Sequence, residues 1–592
     1  MIVKNNFWKF AGATLFVFTF FWFYFPGEYV LIANQDHKLF FTTLDHFLSF
    51  ADHPGGILEY LGNFFTQFYR FRVAGALILA AIVTAGFYAT AGLIRKNSGE
   101  WGKLILPLMA SVLLIGMHNH YPHQIHYSLG LVSVIALVRT VPEDPLKRRI
   151  YSAIAIPVIY YISGGYVWFY GALVIARFFA LDRKKSVEII LLNLVYPAVL
   201  IGLGAGFVYI DPLKILVFSP LPSGQSYPVP QLPLIFMVYV VMTVIFVRVS
   251  NGQKFPGSLW KRVRSFWRIA FIIIPVIAGI FLIMIVTFNK RNKEFFTLEK
   301  LAVQEDWDEL LNYADQHPST NLFGTFYTNL ALAKKGMLCT SLFNYPQVFG
   351  TDGLCFRWDS KAEILKRGSD FFWAVHFVNE AQHWSFESMV VEGFTRRNLK
   401  RLIQTELTRG NYIVARKYIR LLQKTLFDRG IASYYLQFID QPVTIQRDNE
   451  LGPVAAATIN HDFFAEGADL EKNLRKLVWN DPLNRMAFEY LMALLMLEKK
   501  VNDIISLVPD YISLNNGVLP RLLQECLLVD RLLNPEIRAP DISLDQNTIA
   551  EFNSYLQILR HSADQNDAAR RLFPVYGNTF WFYMNFANTA KK

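Results

Sequence analysis

The feature that most constrains this chain is a division at about residue 288. Before it run nine apolar stretches joined by short loops; after it come some 300 residues with no run of membrane length. A span needs roughly 20 apolar residues, fewer where the helix ends at the interface. The candidates are Phe7–Phe25, Val73–Ile94, Leu104–Met117, Tyr127–Val141, Ile150–Ser163, Val167–Ala180, Val187–Ile210, Leu232–Val247 and Trp267–Phe288, the third to sixth being only 14 to 15 residues long. Lipid is thus the solvent of the first half and water that of the second. Backbone in lipid must satisfy its own hydrogen bonds, so an apolar run of this length reads as a helix. The predicted fold is all-α: a polytopic membrane domain of about nine spans over 1–288, with a long external loop at 26–72, followed by an external α-helical domain over 289–592. Phe7–Phe25 has no small-residue cleavage site and runs into Pro26-Gly27, which reads as a retained first helix and not a removed signal peptide. Tyr151–Ala180 is expected to form a tight helical hairpin turning at Gly164-Gly165.

Charge orients these spans. Alternate loops hold nineteen basic residues, ending with Arg248, Lys254, Lys261, Arg262, Arg264 and Arg268; the opposite loops hold four: Lys38, Arg70, Arg72 and Lys214. The positive-inside rule then makes the N-terminus cytoplasmic and, with nine spans, the C-terminal domain periplasmic in a bacterial inner membrane. The formal net charge of +11 is largely this loop charge facing anionic lipid headgroups, so no nucleic-acid partner is implied. All three cysteines lie in the second half. Cys339 and Cys355 bracket a loop rich in Asn, Pro, Gly and Asp, where a disulfide would form in an oxidising compartment; Cys526 reads as a buried thiol.

Past Asn289 the apolar residues recur at helical spacing in helices of ordinary length. In 297–338 a helix with Trp307, Leu310, Leu311 and Ala314, a turn at His317-Pro318 and a second helix from Tyr327 to Gly336 resemble a tetratricopeptide (TPR) hairpin. Residues 410–427 and 481–508 repeat the pattern more faintly, with Asp481-Pro482 expected to start a helix. Such hairpins stack into a solenoid whose concave face binds an extended partner; the alternative is an irregular helical domain with no groove.

Two outward segments carry the chemistry. The first loop repeats one dipeptide three times, as Asp36-His37, Asp45-His46 and Asp52-His53. Asp36, His37, Asp45, Asp52 and His53 are its candidate catalytic groups. A helix is expected over Lys38–Phe50, then the His53-Pro54-Gly55-Gly56 turn, then an amphipathic aromatic helix over Ile57–Phe71 suited to the membrane interface. The loop between the third and fourth stretches holds His118, His120, His123 and His126, four imidazoles in nine residues. Ionisable groups at membrane depth mark sites, because they are costly to place there otherwise. These four, with Arg70 and Arg72 at the mouth of the second stretch, are candidate substrate-binding groups, the arginines for a donor phosphate. Imidazoles at i and i+2 beside carboxylates suit either a divalent metal such as Mg or Mn, with His118 and His120 as candidate ligands, or a pyrophosphate oxygen. The bland readings stand beside these: Asp is a favoured helix N-cap, loop histidines bond at interfaces, and Arg70 and Arg72 anchor there. A third loop, Asp211–Leu232, has five prolines and is either a flap over a cleft or a spacer.

This layout resembles the GT-C superfamily of integral-membrane glycosyltransferases, in particular the branch with a TPR-like C-terminal domain. The first half is also similar to a membrane family of the Bacteroidota. The GT-C resemblance covers the membrane half by layout. It implies a general base, or a metal ligand, at Asp36, about ten residues past the first helix. It implies a second motif at His118 and His120, although Asn119 stands between them and no carboxylate is present. The implied donor is a polyprenyl-linked sugar and the implied acceptor a protein or glycan. Two function classes therefore stand: a polyprenyl-phosphate-sugar-dependent glycosyltransferase or oligosaccharyltransferase at the external face, and a non-enzymatic membrane-anchored TPR scaffold for envelope assembly. A transporter is third, because charged residues are scarce within the spans.

Overall fold

Apolar runs become helices wherever a stop or a cap defines their ends. The computed structural model describes residues 2–35, 38–94, 102–179, 183–221, 231–249, 281–282, 284–457, 469–535 and 542–587. Described residues form helices joined by turns, with no strand among them. They fall into two compact units, Met1–Lys293 and Glu294–Lys592.

The first unit begins with α1 (Ile2–Tyr24), α2 (Glu28–Gln35), α3 (Leu44–Ala51) and α4 (Gly56–Thr66), the last extended by a 3₁₀ turn over Gln67–Arg70. Next come α5 (Arg72–Ile94), α6 (Gly102–His118), α7 (Ile125–Thr140), α8 (Pro145–Ser163) and α9 (Tyr166–Phe178). The unit continues with α10 (Arg183–Ile190), α11 (Tyr196–Phe207), α12 (Leu213–Phe218) and α13 (Gln231–Val249). Each of the first eight apolar stretches is thus helical. Three helices are long and apolar enough to cross a membrane: Arg72–Ile94, Gln231–Val249, and Ser186–Phe207, which runs through a π-turn at Leu191–Val195. A fourth results if Lys9–Tyr24 and Glu28–Gln35, bent by 62°, count as one span. Leu104–His118, Ile125–Thr140 and Tyr166–Phe178 are apolar but shorter, and most of Trp267–Phe288 lies outside the described residues. At 1.5 Å per residue, helices of this shorter kind reach about 20–25 Å against a hydrocarbon core of about 30 Å.

Surface patterning agrees with an apolar surrounding. On α13, Leu234, Val238, Met242 and Phe246 recur every fourth residue and are each more than half exposed, while Phe236, Val240 and Val247 are buried on the other side. An exposed apolar stripe of this length marks a surface that meets lipid or protein. Inside the unit, α5 packs on α1, α6 and α7, and α4 lies on α7 and α8. The chain turns at Gly164-Gly165 as expected, with Gly164 at φ +55. A Cβ there would sit 2.0 Å from the Ser219 carbonyl oxygen, so only glycine admits the close approach of the segment after α12.

The first loop departs from expectation in two places. Helix α3 starts at Leu44, not Lys38, because Thr43 is its N-cap and accepts from the His46 N–H at 3.4 Å. The aromatic helix stops at Thr66 and tightens into a 3₁₀ turn before α5.

The second unit comprises α14 (Lys290–Val303), α15 (Trp307–Gln316), α16 (Leu322–Lys334), α17 (Leu338–Ser341), α18 (Ala362–Ala374), α19 (Val378–Glu392), α20 (Arg396–Thr408), α21 (Tyr412–Gln423) and α22 (Arg429–Asp440). There follow α23 (Leu451–Ala456), α24 (Leu470–Asn480), α25 (Arg485–Leu497), α26 (Val501–Leu514), α27 (Arg521–Leu533), α28 (Gln546–Arg560), α29 (Gln565–Tyr576) and α30 (Phe580–Phe586). Most helices pack on their sequence neighbours.

Five of the corners share one geometry. After α14, α16, α18, α20 and α25 the chain passes through a left-handed residue: Glu305, Gly336, His376, Gly410 and Lys499. The next N–H then reaches back five residues: Asp306 to Leu301, Met337 to Leu332, Phe377 to Phe372, Asn411 to Glu406 and Lys500 to Leu495, all at 2.7–3.0 Å. This is the Schellman closure, and a new helix starts within one or two residues each time. Two expectations change here. Asp481 caps the end of α24, and α25 starts from Asn484, which accepts from the Ala487 N–H at 3.0 Å. Cys339 and Cys355 are not bonded: both are buried free thiols, the first on α17 and the second in the segment before α18.

Candidate functional site

The corner between α3 and α4 gathers titratable groups. Gly55, at φ +88, opens the turn, and its N–H donates to the Tyr161 carbonyl of α8 at 2.9 Å. The Tyr161 hydroxyl returns to the Ala51 carbonyl at 2.8 Å. A Cβ on Gly56 would fall 1.8 Å from the Phe50 carbonyl oxygen, so the turn closes this tightly only with glycine. The turn carries His53 between two carboxylates. Its Nδ1 lies 2.7 Å from Asp52 Oδ1, and its Nε2 lies 3.9 Å from Glu59 Oε2 on α4. The Glu59 interaction raises the imidazole most; burial opposes it, Asp52 adds to it, and the result is a pKa of about 9. Burial alone would raise Glu59, but His53 and the other positive neighbours hold it below the ordinary carboxyl value. His53 is therefore an imidazolium at neutral pH.

Asp52 and His53 line a cleft of about 430 Å³ together with Tyr209, Ile210, Asp211, Ile215 and Ser219. Asp211 opens the proline-rich loop. Its described part is docked and does not hang free. The Gly165 N–H donates to the Ser219 carbonyl at 2.7 Å, Trp168 Nε1 to Val217 at 3.0 Å and the Tyr160 hydroxyl to Leu216 at 3.1 Å. Residues 222–230 of that loop lie outside the described part.

The histidine loop is built differently. His118, His123 and His126 are buried and only His120 is half-buried. The His118 ring meets Phe23 at 6.1 Å and His123 at 4.8 Å, and its buried Nε2 has no hydrogen-bond partner among the described residues. His123 Nε2 pairs with Ser128 Oγ at 2.9 Å. Burial, reinforced by the other imidazoles, pushes His123 well below the ordinary value, and burial lowers His120 as well. Asn119 acts as the clamp. It accepts from Trp22 Nε1 at 2.8 Å, donates to Thr287 Oγ1 at 2.8 Å, and its carbonyl accepts from the Tyr29 hydroxyl at 2.5 Å. Helix α4 joins the two segments: a Cβ on Gly62 would lie 2.5 Å from that of His126, and Glu59 interacts electrostatically with His126 as well as His53.

The remaining expected residues are scattered. Asp36 and His37 lie outside the described residues, so the expected convergence of Asp36 on His118 and His120 does too. Asp45 is exposed in the first turn of α3. Its neighbour His46 sits among Phe40, Phe41 and Phe50 at ring distances of 5.1–5.4 Å. Arg70 is half-buried at the end of the 3₁₀ turn. Arg72 is occupied: its Nε donates to the Tyr24 carbonyl at 2.6 Å, it pairs with Glu28 at 3.2 Å, and it stacks on the Tyr24 ring at 4.1 Å. It fastens the corner between α1 and α2. Among the described residues no three His, Cys, Asp or Glu groups assemble as metal ligands, and His118 is enclosed by rings. The expected ligand set includes Asp36, which lies outside the described residues, and no step is derived through a metal. Glu59 and Asp211 were not anticipated. Glu59 is the only charged residue from Ile57 to Tyr69, and that isolation was the available signal.

A family model described as "Family of unknown function (DUF6057)" matches residues 4–587, and the chain belongs to that family. No curated protein and no solved structure matches it.

Proposed function

We propose that this member of the family is a glycosyltransferase that takes its sugar from a polyprenyl-phosphate donor, at the external face of a bacterial inner membrane. The observation that carries the reading is the Asp52–His53–Glu59 group at a cleft bordered by exposed apolar residues. Phe207, Val208, Ile210 and Leu213 are each more than half exposed, at the end of the membrane-capable helix Ser186–Phe207. A lipid-linked donor needs that pairing: apolar surface for its chain and a charged group for its head. In this reading the His53 imidazolium faces the donor phosphate. The anomeric C–O bond to phosphate breaks, an acceptor oxygen bonds to the anomeric carbon, and the acceptor proton passes to Asp52, exposed and 2.7 Å from His53. The phosphate leaves as an anion whose charge the imidazolium offsets. Asp36 keeps its role as a candidate base by resemblance to the GT-C layout. The nine-span topology, with cytoplasmic N-terminus and periplasmic C-terminal unit, is supported by the nineteen-to-four asymmetry of basic residues.

The test is transfer of label from a polyprenyl-phosphate sugar by the protein in proteoliposomes. His53→Gln and Asp52→Asn should each lose at least about 100-fold, within the usual range for removing an acid–base group. Wild-type rates in both variants would sink the reading. A second reading, the TPR-like scaffold, is favoured by the five equal corners of the second unit. It predicts the reverse: full function with both substitutions, and loss on deleting residues 296–592.

A further inference from the structure

The second unit carries a groove that the proposed chemistry does not use. It encloses about 1230 Å³ between the loop after α17 and the last helices. That exceeds the usual size of a site for one small molecule and suits an extended ligand. One wall is a row of rings: Phe573 meets Phe582 at 5.7 Å, and Phe582 meets Phe586 at 4.8 Å. Phe573 is 65% exposed, although a phenyl ring gains by burial, so the row presents an open ring face. Also in the lining, the exposed Asn578 amide donates to the Asn344 amide oxygen at 3.3 Å, each side chain being both donor and acceptor. The charged lining groups neutralise one another. Arg357 pairs with Asp352 at 2.9 Å and Lys500 with Glu498 at 2.8 Å.

These observations define the ligand by its chemistry. Mutually paired charges leave little field for an ion, so the occupant is neutral. Flat ring faces beside amides match a molecule that alternates C–H faces with hydroxyls. A peptide fits less well: the described walls are helices and loops, with no strand edge to pair its backbone. We infer that this groove binds a neutral oligosaccharide, laid along Phe573, Phe582 and Phe586 and hydrogen-bonded by Asn344 and Asn578. The site lies within the second unit and does not depend on the transfer reaction proposed above.

The experiment is a titration of the full-length protein in lipid nanodiscs with hexasaccharides of glucose (α- and β-linked), mannose and N-acetylglucosamine, read by saturation-transfer NMR and calorimetry. At least one should bind. Phe573→Ala and Phe586→Ala should each weaken it about tenfold, the equivalent of about 1.4 kcal/mol. Asn578→Ala should weaken it too, and His53→Gln should leave it unchanged. An unchanged thermal midpoint separates lost binding from lost fold, which is expected for Phe573 because its ring is mostly exposed. No binding by any of the four sugars, binding indifferent to both phenylalanine variants, or displacement by a neutral hexapeptide of Phe and Asn would overturn the inference.

Discussion

Glu299 is the group whose loss should cost the second unit most. It is buried on α14 and accepts from Arg367 at 2.7 Å, from Arg397 at 2.7 Å and from the Tyr327 hydroxyl at 3.0 Å. Arg367 is fully buried and stacks on Phe295 and Phe323; it also pairs with Glu363. Arg397 pairs with Asp370, which also holds Arg401 at 3.0 Å. Three guanidinium groups and three carboxylates thus tie α14, α16, α18 and α20 together, with Lys366 also on Glu363 at 3.4 Å. The Glu299→Gln substitution keeps the shape and removes one anion, leaving three guanidinium groups against two carboxylates. Breaking a buried pair from one side costs about 3–5 kcal/mol, because the remaining charge has no water to turn to. Arg367→Met should cost a similar amount alone. The double variant should cost at least about 2 kcal/mol less than the sum of the two, since it removes the stranded charge along with its partner. Hydrogen exchange of the amides of α14, α18 and α20 measures these opening energies within one unit of the full chain. A loss under about 1 kcal/mol for Glu299→Gln, or additivity within about 0.5 kcal/mol, would refute the argument.

Three further outcomes are expected. Glu525 is buried, and burial raises its carboxyl to about 7, against lowering by the Phe580 N–H and Arg521. Its folded value lies above the unfolded one, so its stabilisation is complete below about pH 4.5 and is lost as pH rises through about 7. Roughly 3 kcal/mol of slope should disappear in Glu525→Gln when denaturation midpoints are compared from about pH 4.5 to 8, and parallel profiles would count against it. Gly62→Val should drive α4 off α7, costing about 1–3 kcal/mol by overpacking, with faster hydrogen exchange over residues 56–70; unaltered exchange would mean the helices have room. A Cβ at Gly410, at φ +78, meets nothing within 4 Å, so Gly410→Ala isolates backbone strain of about 1 kcal/mol. Glu305→Gly should gain about as much at the corresponding corner, and equal thermal midpoints for both variants would refute the strain account.

Much of the helical framework was legible in the chain, because apolar periodicity and length are local properties. The eight apolar stretches that are helical in the first unit, the Gly164-Gly165 turn and the Trp307 to Gly336 hairpin follow from patterns of at most about forty residues. The site was legible only in part. The Asp52-His53 pair was visible as a repeated dipeptide, yet what distinguishes it from Asp45-His46 is Glu59, six residues past His53 and brought back by the Pro54–Gly56 turn. The histidine-rich loop looked like a ligand surface and is mostly interior, since burial depends on which helices close over it.

The sequence alone carried the apolar character of the first half, the placing of helices and the glycines that permit close turns. Each is a consequence of residues near one another in the chain. Tertiary structure alone decided which titratable groups share a neighbourhood. Segments remote in sequence put Asp211 on the same cleft as Asp52, His126 against Gly62 and Glu299 among Arg367 and Arg397. Charge and protonation depend on distance through space and on lost water, and neither can be read from spacing along the chain.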